Sequence, residues 1–524
     1  MSETKNIQEP VGPTVKVSPA LPARRVRDIQ REGVKERFSG SDATVDLTKS
    51  PVFGKILERT LKSRRFQFYF ILPSQILFWL VVVSGIFGTL EPAQNFGTAI
   101  TWYIWFALMF PATLLIGRAW CLTCPFGGLG EWVQRRTFWK RTQKKLGLGL
   151  KMPQVLAEYG LLMSAGVFII LSWLEEFFNI AGPGLPILTS IMVLSIIGFS
   201  LLTFIIFERR TFCRYLCPLS SLIAANGSTG VIAGFRPRDR EVCLNCQTKE
   251  CVRGGIDGYG CPWYTYPASA DTNTYCGLCS ECYKACPYDN IGVYAQKPLT
   301  SVIEPKKRTS LAWVIGLLLG LVIFQQWNAL PSYAAVDNWM NNLMHFPHYP
   351  NPVDYLLTIG AVAGIFAAVA FLFSRTISIK TRTAHSFNTW FAPLMYGLIP
   401  LVGADFLARV MPKFFNHAAR LPSSIIGVFG KQVSWADFHI LPNEWLVRLQ
   451  YFIVLIGTIA AVYTTFKIAG KDYKELLRRA LNSLHFYVCI TDKFFFPWSN
   501  FQVLKYYIRN TKCHLFYALL NNRE

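Results

Sequence analysis

At 524 residues, 52% of them hydrophobic, 15% aromatic and only 16% charged, the chain has too little charge to cover the surface of a soluble protein, and it reads as a membrane protein. A net charge of +22 would suit a nucleic-acid binder. The basic residues instead crowd into alternate connections between apolar runs, so they report orientation and argue against a nucleic-acid partner.

Residues 1–66 hold fourteen Lys or Arg with Pro10, Pro13, Pro19 and Pro22, and read as a flexible, basic cytoplasmic arm. The first apolar stretch begins only after this arm, so no secretory signal is expected. Eight predominantly apolar runs of about 20 residues follow, each long enough to cross a hydrocarbon core of about 30 Å. They lie near 68–90, 98–117, 155–174, 185–207, 310–330, 353–374, 388–412 and 446–468. The loop 118–154 holds eight Lys or Arg, whereas the connections after the first, third and fifth runs hold none. By the positive-inside rule both termini are cytoplasmic. The expected fold is an all-α polytopic membrane protein of about eight transmembrane helices with one polar insert. Its parts are the arm, a four-helix membrane unit (67–235), the insert (236–309), a second four-helix unit (310–470) and an aromatic, basic cytoplasmic tail (471–524).

Two stretches 92 residues apart read almost alike: "RAWCLTCPFGGL" from Arg118 and "RTFCRYLCPLSSL" from Arg210. Cys121 and Cys124 follow the second run, and Cys213 and Cys217 follow the fourth. Each doublet closes a two-helix hairpin, so the first four runs form an internal repeat in one orientation. Two such units packed about an axis along the membrane normal would bring the four thiols to one point. That point suits a further metal or iron–sulfur centre, a redox-active thiol set, or helix-end packing.

The insert holds eight of the fourteen cysteines. Cys276, Cys279, Cys282 and Cys286, followed by Pro287, have the CxxCxxCxxxCP spacing of bacterial ferredoxins, in which three thiolates hold one [4Fe–4S] cube and the fourth serves a second. Cys243, Cys246, Cys251 and Cys261, followed by Pro262, repeat the pattern with longer spacers. The exchange rule assigns Cys243, Cys246, Cys251 and Cys286 to cluster I and Cys276, Cys279, Cys282 and Cys261 to cluster II. Paired CxxC units also suit structural zinc, but a four-cysteine run ending in CP favours clusters. The insert is thus expected to be a two-[4Fe–4S], ferredoxin-like domain on the cytoplasmic side, with Trp263, Tyr264 and Tyr266 as candidates to cover the cubes.

The sequences "CLTCPFG" and "CRYLCPL", together with the two-cluster insert, resemble the NosR/NapH group of membrane-bound ferredoxin-type electron-transfer proteins over residues 68 to about 309. The resemblance implies electron transfer between the quinone pool and respiratory reductase systems in a prokaryotic cytoplasmic membrane. It implies no covalent flavin, because no large flavin-binding region precedes the first run.

The second half adds fewer signals. None of the seven histidines falls inside a run and no CxxCH occurs, so no haem is expected. "HFPH" from His345 to His348 reads as polar surface or a metal clamp. Asp405 and Arg409 in the seventh run are spaced i,i+4, as for an internal ion pair, a proton path or a quinone site. Cys489 and Cys513 in the tail belong to no motif. The expected function is a relay between the quinone pool or another membrane donor and a redox protein complex. A biogenesis factor resembling the CcoG-type proteins, supplying electrons for copper handling in oxidase assembly, is the alternative. A structural role for the clusters is a third reading.

Overall fold

Among the described residues the eight apolar runs form eight helices long and apolar enough to cross a membrane: Phe66–Phe87, Phe96–Arg135, Gly160–Phe177, Pro186–Ile206, Thr309–Trp327, Pro352–Thr376, Trp390–Gly427 and Asn443–Ala469. They are called spans 1 to 8 below. The structure, a computed structural model, describes residues 45–92, 94–139, 146–182, 184–305, 307–345, 349–381, 387–429 and 440–469. The tail from 471, with Cys489 and Cys513, and His348 of the "HFPH" stretch lie outside these residues.

Span 5 explains why its sequence shows no polar face. Leu311, Val314, Ile315, Leu318, Leu319, Leu321, Val322 and Phe324 cover its whole circumference and all are buried. A helix apolar all round belongs in the middle of a bundle. Span 5 packs on span 3 of the first unit and on spans 6 and 7 of the second, and span 7 also reaches span 2, so the two membrane units share one core.

Span 2 continues past Cys124 into a helix that starts at Pro125, and a corresponding helix, Leu219–Gly227, follows Pro218. Proline suits such starts because its fixed φ matches the helix and its missing N–H is not needed there. The helix after the first doublet packs on spans 1 and 4, and that after the second on spans 3 and 2. Exchanging span 1 with span 3 and span 2 with span 4 maps one set of contacts onto the other, which is the signature of a two-fold repeat about the membrane normal.

The insert adds a three-stranded antiparallel sheet of order β1-β3-β2, with β1 Val45–Asp46, β2 Ile232–Pro237 and β3 Ile291–Ala295. The strand β1 comes from the segment read as a flexible arm. Val45 pairs with Ala295 and Asp46 with Tyr294, and Arg238 meets the Asp46 carboxylate at 3.4 Å. A helix, Gly54–Lys62, then lies against the insert, with Lys62 3.3 Å from Asp289. From Val45 onward the arm is therefore part of the folded insert. Only a sheet edge contributed by residues 248 to 250 positions from their partners completes it, and no local pattern marks such pairing.

The connection after span 5 is helical over Pro331–Met344. His417, beyond the seventh apolar run, is the last residue of the helix Ile399–His417 and stacks on Tyr103 with ring centroids 4.4 Å apart. Span 7 runs on beyond Pro412, because a helix already packed on both sides tolerates the lost hydrogen bond.

Candidate metal centres

The two doublets differ by one residue between their cysteines, and the backbone absorbs the difference by winding. Residues Gly117–Leu122 form a tight 3₁₀ turn, closed by Thr123 N–H donating to the Trp120 carbonyl at 3.2 Å. Residues Phe212–Leu216 form a wide π turn, closed by Cys217 N–H donating to the Phe212 carbonyl at 2.8 Å. A 3₁₀ turn aligns side chains three apart, and the wider π turn brings round side chains one position farther along. Cys121 with Cys124, and Cys213 with Cys217, therefore line the same cavity. The four thiols also act on one another electrostatically: Cys213 is affected by Cys124, Cys217 and Cys121.

The arginine three residues ahead of each doublet ties it to the other. Arg118 donates to the carbonyl of Cys213 at 3.3 Å, and Arg210 donates to the carbonyl of Cys121 at 3.0 Å. Both side chains are buried, 1% and 0% exposed. Their other donors differ. Arg118 reaches Ser220 and, at 2.7 Å, the Thr274 carbonyl of the insert, whereas Arg210 is ion-paired with Glu131 and donates to it from Nη2 at 2.9 Å. A charge-assisted hydrogen bond of this kind is stronger than a neutral one. Gly127 lets the helix after the first doublet approach this site, since a Cβ there would stand 3.0 Å from the Cys213 sulfur.

In the insert, Cys261, Cys276, Cys279 and Cys282 line one small cavity together with Arg236 and Trp263. The remaining four form a second group: burial pushes the Cys251 thiol up to about 12, and the thiols of Cys286, Cys243 and Cys246 add to the effect. Burial likewise raises Cys243 to about 11, with Cys286 and Cys246 again its neighbours. Burial and then the facing Cys261, Cys279 and Cys276 thiols push Cys282 up as well. These thiols keep their protons near neutral pH until a bound metal's charge reverses the balance, because a coordinating thiol is deprotonated outright. Among the described residues no three His, Cys, Asp or Glu side chains converge closely enough to hold a single ion. A zinc ion draws thiolates to about 2.3 Å from one centre, whereas a cube spreads them over four irons.

Several donors address these sulfurs. Asn290 donates its backbone N–H to Cys286 Sγ and its side-chain amide to Cys243 Sγ, each at 3.4 Å. Gly234, at φ +95° in the bulge of β2, makes room for Cys276, whose sulfur would lie 2.7 Å from a Cβ there. The charge of buried Arg236 is felt by Cys276 and Cys282, and that of Arg210 by Cys213 and Cys279. Trp263 packs among Cys261, Cys121, Cys213 and Cys217, with the Arg118 guanidinium 4.2 Å from its ring, so it covers both the insert and the doublets. Tyr266 donates its hydroxyl to the Cys243 carbonyl. Sequence reasoning gave no role to Arg118, Arg210, Glu131, Arg236 or Asn290. The repeat of Arg118 at Arg210, three residues before each first cysteine, was the available signal for the first two.

Comparison with known families adds one decisive observation. The family model of a 4Fe-4S binding domain matches residues 98–148 and 189–224. The chain is a transmembrane, ferredoxin-type iron–sulfur protein of electron transport. The two matches fall on the two doublet hairpins, one on each copy of the repeat, and not on the cysteine-rich insert. No curated protein and no solved structure matches the chain. The donor set fits a cluster at the doublets: four thiols line one cavity, and the two cationic side chains beside them, Arg118 and Arg210, offset the negative charge of a thiolate-bound cluster.

Hydrogen bonds to cluster sulfurs favour the more electron-rich reduced state. If Cys243 ligates a cluster, replacing Asn290 with leucine removes one such donor, worth about 1 kcal/mol, and lowers one midpoint potential by about 40 mV. EPR-monitored redox titration checks this, with iron content unchanged. An unshifted potential would mean that Asn290 serves only the loop through its bonds to Asp239.

Proposed function

We propose that the chain is a membrane electron relay of NosR/NapH type. In this reading Cys243, Cys246, Cys251 and Cys286 hold one [4Fe–4S] cluster, Cys276, Cys279, Cys282 and Cys261 hold a second in a ferredoxin-like insert, and Cys121, Cys124, Cys213 and Cys217 hold a third centre at the membrane edge. Each cluster supplies a one-electron couple. The donor is the quinone pool or another membrane partner, the acceptor a redox complex docking on the insert, and the insert faces the cytoplasm.

The observation that carries the reading is the serial order of the three thiol groups. Three of the membrane-edge thiols, Cys121, Cys213 and Cys217, share a patch with Cys261 and Trp263. Cys261 leads on to Cys251, because the Cys261 N–H donates to the Cys251 carbonyl at 2.8 Å, and the Cys251 thiol adds to the upward push on Cys282, which links the two insert groups. Cys246, at the outer end, is only partly buried. Buried cations and amide donors along this line are the groups by which a protein tunes cluster potentials. The basic loops on the insert's side of the bundle support the cytoplasmic assignment.

Redox titration of the purified chain tests the proposal. At least two distinct cluster signals should titrate between the potentials of quinone and ferredoxin couples. Clusters that stay in one state throughout that range would leave them a structural role and overturn the relay.

A further inference from the structure

Span 5 leaves the insert at Thr309 and ends at Trp327, about 28 Å on at 1.5 Å per residue. The helix Pro331–Met344 and the start of span 6 at Pro352 therefore lie at the end of the bundle away from the insert. Four polar side chains are buried together there: Tyr333 and Asn351 are 0% exposed, Asp337 1% and Asp354 3%. Two carboxylates at such depth need a counter-charge. Among the described residues no side-chain cation supplies it, since Arg409 and Lys413 are held by Glu176 at 3.3 Å and Glu175 at 3.7 Å.

Hydrogen bonds orient these carboxylates without satisfying them. The Tyr333 hydroxyl lies 3.3 Å from Asp337 Oδ1 and 3.2 Å from Asp354 Oδ1, and its single proton serves one contact at a time. The backbone N–H of Asn351 donates to the same Asp337 oxygen at 2.8 Å, and Asn341 donates its amide to Asp337 Oδ2 at 2.7 Å. Asn351 also donates its side-chain amide to Asn341 Oδ1 at 2.7 Å and accepts the N–H of Val353 at 2.9 Å, which fixes Asp337 against the first turn of span 6. The second oxygen of Asp354, Oδ2, is buried and has no donor. Three oxygens thus converge on one proton beside a fourth that has none, and leaving buried acceptors in that state is costly. The donor atoms are all oxygen, the set that hard cations take and that zinc or iron–sulfur sites do not use.

We infer that Asp337 and Asp354 bind a calcium ion that fastens the helix Pro331–Met344 to the start of span 6. Two carboxylate charges balance one divalent cation, whereas a monovalent ion would leave the buried site negative. Calcium suits carboxylates brought together from two separate helices, because it accepts irregular geometry at about 2.3–2.6 Å, while magnesium demands a near-ideal octahedron at about 2.0–2.1 Å. Tyr333, Asn341 and Asn351 are positioning residues that aim the two carboxylates. With only two charged ligands the site is of the weak class, binding at about 0.1–1 mM. It lies outside the electron path and stands independently of the relay, since no thiol contributes to it.

The test is equilibrium dialysis of radioactive calcium against the purified full chain, clusters in place, after divalent ions have been removed with a calcium chelator. One ion per chain is expected, together with a rise in unfolding temperature when calcium is added, because a ligand that binds only the folded state stabilises it. Asp337→Asn and Asp354→Asn keep the shape of each side chain and remove one charge, and each should abolish both the saturable binding and the thermal shift. Unchanged iron content and visible absorption show that the variants are folded. A parent chain that binds no calcium at tenfold above the expected range overturns the inference, as does binding that survives in both variants or an equal affinity for magnesium. If the two carboxyl groups share a proton instead, stability follows pH and ignores calcium, and the site falls.

Discussion

Replacing Cys213 with serine is expected, on the proposed scheme of three centres, to remove about four of about twelve irons from the purified chain and leave about eight. Cys213 is the most enclosed of the membrane-edge thiols: it is buried, Gly127 backs onto its sulfur, and Cys121, Cys124 and Cys217 all act on it. A serine oxygen is a poor substitute for a thiolate ligand, so the loss should be nearly complete, and Cys121→Ser should match it because the two positions are related by the repeat. Iron and acid-labile sulfide analysis measures the count, and EPR shows which signal disappears. The result bears directly on the doublets, where the 4Fe-4S family match lies. If both variants keep the parent iron content, the four thiols are a redox-active or packing set and the third centre is lost from the scheme.

Glu131→Gln should destabilise the fold by about 3–5 kcal/mol, the usual outcome of removing one partner from a buried ion pair. Glu131 is 2% exposed and Arg210 0% exposed. One carboxylate oxygen meets Arg210 Nε at 2.9 Å and Arg135 at 3.2 Å, and the other accepts from Arg210 Nη2 at 2.9 Å. A glutamine leaves the guanidinium uncompensated where no water reaches it. The double variant Glu131→Leu with Arg210→Met should recover most of the stability, since replacing both partners by apolar groups is often neutral. It should still disturb the doublets, because Arg210 also holds the Cys121 carbonyl. Thermal unfolding in detergent, followed by circular dichroism, compares the three proteins. A single variant within about 1 kcal/mol of the parent would mean that Arg210 finds another counter-charge, the nearby cysteine thiolates being the candidates.

Much of this molecule was legible in one dimension. The spans were readable because crossing hydrocarbon requires a run of apolar residues whatever the neighbours are. The structural helices begin and end within a few residues of those runs, except where spans 2 and 7 continue into helices the hydropathy did not mark. The insert's cysteines could be grouped because short spacers force particular thiols together; in the fold Cys261, Cys276, Cys279 and Cys282 line one small cavity. The one-residue difference between the doublets was visible as a puzzle but not as its answer. A 3₁₀ turn at Gly117–Leu122 and a π turn at Phe212–Leu216 resolve it, and winding of that kind depends on what the turn packs against.

Periodicity, composition and cysteine spacing are local quantities, and they determined by themselves the membrane class, the eight spans, the repeated doublets and the iron–sulfur chemistry. The tertiary structure alone decided which buried polar groups meet. Arg118 reaches Cys213 across 95 positions, Arg210 reaches Glu131 across 79, and Arg409 passes over the nearby Asp405 for Glu176, 233 residues away. The reason is physical: a buried charge must find a partner or leave the interior, and which partner is within reach is settled by how the helices pack.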